Sequence, residues 1–164
     1  MSDRIIVATF SDTKEAYGAA KAIKNLDGAG AADFKLKAAV VVKKDGLGDV
    51  KVLANHDRPP LATAIGTAVG ALIGLIGGPP GAAVGAAIGA SAGLTGDLVT
   101  RLFEHDFVDQ VASDMRPGST SVIVEAEEGD PRPIDEVVAL RHGRVRRQDM
   151  TEAYAGQVFG REHR

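Results

Sequence analysis

The chain has 164 residues, enough for one domain or one domain with an appendage. Its 19 basic and 22 acidic side chains leave a net charge of −3, so no overall field draws it toward nucleic acid. Without cysteine it holds no disulfide, thiolate metal site or cysteine nucleophile, and with no tryptophan and only 4% aromatics its core is expected to be built from Val, Ile, Leu and Ala.

Met1-Ser2-Asp3-Arg4 leads directly into an apolar run, without the charged region, long apolar stretch and small-residue cleavage site of a signal peptide. The compartment expected is the cytoplasm or the cytoplasmic face of the inner membrane. Arg4 to Phe10 (RIIVATF) is short and β-branched and predicts a buried strand. Asp12 with Glu15 has capping-box spacing and opens a helix to Leu26, closed by Asp27-Gly28-Ala29-Gly30. Lys37 to Lys43 and Asp49 to Asn55 are two strands joined by Asp45-Gly46-Leu47-Gly48, a hairpin. Val50 and Val52 alternate with Lys51 and Leu53, and Val40-Val41-Val42 predicts a strand covered on both faces.

Between Leu61 and Gly96 there are ten glycines, ten alanines and no charged residue. Gly66, Gly70, Gly74 and Gly78 are spaced by four, and so are Gly81, Gly85, Gly89 and Gly93. Gly77-Gly78-Pro79-Pro80-Gly81 breaks the segment, which predicts a helical hairpin over Leu61 to Gly77 and Gly81 to Leu98. An interior glycine costs a helix about 1 kcal/mol relative to alanine, so this spacing makes sense where the stripe packs against another backbone. Ile65, Val69, Leu72, Ile73 and Ile76 mark the opposite face, expected to meet lipid or a partner. A spanning helix needs about 20 apolar residues, and each half falls near the low edge of that range.

Downstream, Arg101 to Met115 is helical, Pro117-Gly118 stops it, and Ser119 to Ala126 is a strand. Ile134 to Leu140 is a short helix, Gly143 to Arg147 a fifth strand, and Thr151 to Phe159 a terminal helix. The fold expected is α+β: a ferredoxin-like antiparallel sheet drawn from the first six elements, with helices on one face, interrupted by the glycine-zipper hairpin. Residues 1–58 and 98–148 would form that domain, 59–97 the hairpin, and 149–164 a C-terminal helix or tail.

RIIVATF, DTKEAYGAAKAIKNL, KAAVVVKKDGLGDVKVLANHD, AIGTAVGALIGLIGGPPGAAVGAAIGASAG and DFVDQVASDMRPGSTSVIV together resemble the bacterial family known as domain of unknown function 1269. The resemblance runs from about Arg4 to Arg147. It implies a membrane-associated or oligomerising protein, and it supplies neither an activity nor catalytic residues.

His56, His105, His142 and His163 show no metal-ligand spacing, and Asp45 to Asp49 is a turn rather than a calcium loop. The carboxylates Glu125, Glu127, Glu128 and Asp130 read as a solvated strand end, and Ser119 and Ser121 have no base near them in sequence. No cofactor is expected. Arg141, Arg144, Arg146 and Arg147 form the one basic cluster and are candidate contacts for an anionic surface. The reading is a non-enzymatic protein that self-assembles through its zipper into a homo-oligomer, at membrane lipid or in solution, with no nucleic-acid partner and no identifiable substrate. The alternative is a small-molecule binder or enzyme on the open face of a dimeric sheet.

Overall fold

The computed structural model describes residues 2–30, 33–55, 69–76 and 103–150. The elements are β1 (Ser2–Phe10), α1 (Thr13–Gly28), β2 (Phe34–Lys44), β3 (Val50–Asn55), helical residues 69–76 (α2), α3 (His105–Asp114), β4 (Thr120–Glu128), α4 (Arg132–Ala139) and β5 (Arg144–Asp149). The strands form one antiparallel sheet in the order β3-β2-β4-β1-β5. The class is α+β.

Local chemistry sets the boundaries. The Asp12 carboxylate accepts from the Lys14 amide and caps α1. After Ala29, Gly30 takes φ +67, the left-handed step that ends the helix. Asp45 Oδ1 accepts from the amides of Leu47 and Asp49, both at 2.9 Å, and Gly48 has φ +90, so the β2–β3 connection is a self-bonded turn. In β2 the register against β4 shifts between Leu36 and Ala38. Lys37, the extra residue, reaches Asp3 and Glu127 from this bulge.

Two split units interlock. The strands of β1-α1-β2 flank β4, and those of β4-α4-β5 flank β1. The unit therefore includes β5 and leaves β3 as an added edge, whereas the sequence reading drew it from the first six elements.

Strand alternation divides the core into two layers. Ile6, Ala8, Phe10, Val41, Val122 and Val124 face α1 and α4. Ile5, Val7, Val40, Val42, Val50 and Ile123 face the other way, under Val69, Leu72 and Ile73 of α2 and Phe103, Phe107 and Val111. The Phe103 and Phe107 rings stack at 6.2 Å. Helices thus cover both faces, not the one expected. Ile5, Val7, Val40, Val42 and Ile123 are all buried, and leaving that layer wet would forfeit roughly 1.5–3 kcal/mol per side chain.

Candidate functional site

Of the glycine stripe, Gly70 and Gly74 fall within described residues: both lie in α2, Gly70 buried and Gly74 half-buried. Gly66, Gly78, Gly81, Gly85, Gly89, Gly93 and Ile65 lie outside the described residues, as do the second half of the hairpin and the terminal helix. The lipid- or partner-facing assignment is corrected at three positions. Val69, Leu72 and Ile73 are 0–1% exposed and pack on the sheet of their own chain. Their burial stabilises this docking by roughly 4.5–9 kcal/mol, which exceeds the ~2 kcal/mol that two interior glycines cost. Ile76 is half-buried against the same layer. α2, the described part of residues 59–97, packs into the core of the sheet.

The arginine cluster is not one surface. Arg144 and Arg146 pair with Thr9 and Val7 in register and lean toward α3, where Asp114 accepts from Arg146 at 2.7 Å and lies 3.7 Å from Arg144. Arg147 turns to the opposite layer and reaches Glu128 at 2.7 Å and Asp135 at 2.6 Å. Burial disfavours its charge, yet the hydrogen bonds to Glu128 and Asp135 outweigh this and hold its pKa above the ordinary arginine value. Arg141 lies on α4's end, 3.9 Å from Glu15 and donating to the Val137 carbonyl at 3.3 Å. Period-two alternation sets Arg147 apart from Arg144 and Arg146, Arg141 lies beyond α4, and each has a carboxylate of the chain within 4 Å.

Glu128 is not the solvated carboxylate expected. Its side chain is fully buried between Arg4, 3.1 Å away, and Arg147. Asp130 does lie in a turn, held by a forked contact from Arg132, and that hydrogen bond lowers its pKa. Among the described residues no three His, Asp or Glu side chains gather as a metal site.

A cleft of about 500 Å³ opens at the end of the sheet where β1 finishes and β4 and β5 begin. Thr9, Ser11, Ser113 and Ser119 bring hydroxyls to it, and Arg116, His142 and Arg144 bring cationic or donor groups. Its carboxylate, Asp114, is 5% exposed and already held by Arg146 and Arg144. Thr9 is paired with Ser121, hydroxyl to hydroxyl, at 2.8 Å. Ser119 Oγ is buried and, among the described residues, has no hydrogen-bond partner.

The far wall is a hydrogen-bonded turn. The amides of Arg141, His142 and Gly143 bond back to the carbonyls of Val138 and Ala139 at 3.0–3.1 Å. His142 takes φ +55, alone among the described non-glycine residues in having a positive φ. That conformation costs an L-residue roughly 1–2 kcal/mol. A Cβ on Gly143 would lie 2.4 Å from the Phe10 ring, so only glycine lets the turn seat this closely.

Residues 60–158, more than half of the chain, match the model of the family described as Protein of unknown function (DUF1269). The chain belongs to that family. No curated protein and no solved structure matches the chain.

The DUF1269 match takes in the glycine-spaced segment, α3, β4, α4 and β5. It therefore includes every cleft residue except Thr9, Phe10 and Ser11. Sequence reading missed this cleft. Its residues come from three distant segments, and the available signals were the Pro117-Gly118-Ser119 stop and the Arg-His-Gly-Arg run at 141–144. The sheet face on which the alternative reading placed a ligand pocket is packed by α2 and α3. Among the described residues no helix is long and apolar enough to cross a membrane.

Proposed function

We propose that this DUF1269 protein is a non-enzymatic, self-assembling protein whose glycine-spaced segment packs helices between copies, at the cytoplasmic face of a membrane or in solution. The interlocked split units are read as a ferredoxin-like sheet with β3 added at one edge. The carrying observation is the arrangement of α2. Val69, Leu72 and Ile73 are committed to the sheet. At 3.6 residues per turn, Gly70 and Gly74 lie about 120° round the helix from that contact. Gly70 is buried and Gly74 half-buried on this line, which supports the reading that close helix packing, rather than the sheet, uses the glycine groove.

The charge-free stretch from Leu61 to Gly96 supports the same reading, since such a surface is poorly matched to water. A helix laid in a glycine groove gains close backbone contact that larger side chains would prevent. The test is the particle mass of the full chain by light scattering, with and without detergent, beside flotation on vesicles of anionic lipid. Assembly or flotation that Gly74→Leu abolishes is the expected result. A monomer in all conditions that does not float would overturn the proposal.

A further inference from the structure

We propose that the cleft between β1, the α3–β4 loop and the α4–β5 turn is a binding site for a small molecule bearing an oxyanion, a phosphoryl or carboxylate group. The inference is independent of the assembly reading.

The argument is a balance of donors and acceptors. Arg116, Arg144, His142 and the hydroxyls of Ser11, Ser113 and Ser119 line the cleft. Against them stands one carboxylate, Asp114, whose two oxygens are already met by Arg146 at 2.7 and 3.3 Å. Arg144 is left with a loose 3.7 Å contact and is 71% exposed. Arg116 makes no ion pair among the described residues. A site with surplus donors and positive charge is complementary to an acceptor-rich anion, and guanidinium groups bind phosphate and carboxylate in a forked geometry.

Two further observations point the same way. Ser119 Oγ is buried at the cleft and, among the described residues, has no hydrogen-bond partner, which ordinarily costs about 1–3 kcal/mol. His142 is held in a left-handed conformation at the rim by a turn that Gly143 and Phe10 lock. Strain retained at a cleft wall in this way is characteristic of binding sites. The volume, about 500 Å³, admits a small metabolite and exceeds what a bare ion fills.

The experiment titrates the full chain with inorganic phosphate and, separately, with malonate, at ionic strength fixed by chloride, following backbone amide resonances. Saturable shifts at Gly118, Ser119 and Gly143 are expected. Arg116→Ala should weaken binding by about tenfold, the effect of losing one charge-assisted contact. Ser119→Ala should weaken it about threefold, while Arg132→Ala, an exposed residue away from the cleft, should change nothing. The amide spectrum reports folding of each variant, and Arg116 is exposed, so its removal leaves the core intact. A response to phosphate alone would assign a phosphate ester, and a response to both anions a broader oxyanion site. Shifts that rise linearly without saturating, or that Arg116→Ala leaves unchanged, would overturn the proposal.

Discussion

Gly143 approaches Phe10 so closely that a Cβ on the glycine would stand 2.4 Å from Cε1 and 2.8 Å from Cδ1 of the ring. Phe10 is 2% exposed and packed with Val138 in one layer of the core, so the ring has little room to retreat. Gly143→Ala should therefore destabilise the protein by about 1–3 kcal/mol, the usual cost of overpacking. Urea unfolding measures this, and a change below ~0.5 kcal/mol would mean that the turn moves instead of the ring.

The same layer carries a buried charge pair. Glu128, with no exposed side-chain surface, accepts from Arg4 and Arg147. Removing one partner leaves a buried carboxylate short of compensation, so Arg147→Met should cost about 3–5 kcal/mol. The double variant Glu128→Leu with Arg147→Met should cost clearly less than the sum of the two singles. Strict additivity in that double-mutant cycle would show that the pair is not coupled.

Asp45 gives a pH dependence with a defined sign. The Asp49 amide is the main cause that holds its carboxyl below the ordinary carboxylate value; burial opposes it, and the Leu47 amide and the nearby Lys51 add to the lowering. A lowered folded-state pKa means that the stabilisation is complete above the unfolded value of ~3.9 and is lost as pH falls through the folded one. Asp45→Asn should then reduce stability at neutral pH and flatten its decline below about pH 4. Carbon-detected NMR titration of the carboxyl checks the shift directly, and a midpoint at or above the ordinary value would count against the turn's role.

Much of the local structure was legible because its causes are local. The Asp12 cap, the Asp45 turn and the alternation of Val50 and Val52 with Lys51 each depend on residues a few positions apart. Pairings across the chain were harder to read. The central β1–β4 pairing joins Val7 to Ile123, and no turn links them. Val40-Val41-Val42 did signal a sheet covered twice, and α2 with α3 is the second cover. The face of α2 was misread because Leu72 and Ile73 suit lipid and a protein core equally, and hydropathy does not separate the two. Asp114 and His142 meet at one cleft only through tertiary folding, so no spacing in the sequence joins them.

The docking of α2 separates folding from assembly, and two substitutions distinguish them. Leu72 is 0% exposed within the layer formed by Ile5, Val40 and Ile123. Leu72→Ala should lower stability by about 2–5 kcal/mol, as truncation in a packed core does. Ile73→Lys should do more damage, because the ammonium would have to be buried beside Val69 and Leu72 or the helix pulled from the sheet. Neither change touches the glycine groove, so copies that still fold should still associate. Gly74→Leu acts in the opposite sense. Gly74 is half-buried and lies off the sheet-facing line, so the enlarged side chain should leave the melting temperature within a few degrees and abolish association. Thermal melts and light scattering on the same samples separate the two effects. If Leu72→Ala left stability unchanged, α2 would not be part of the core. If Gly74→Leu unfolded the protein as severely as Ile73→Lys, the groove would be an internal contact of the fold and the assembly reading would fall.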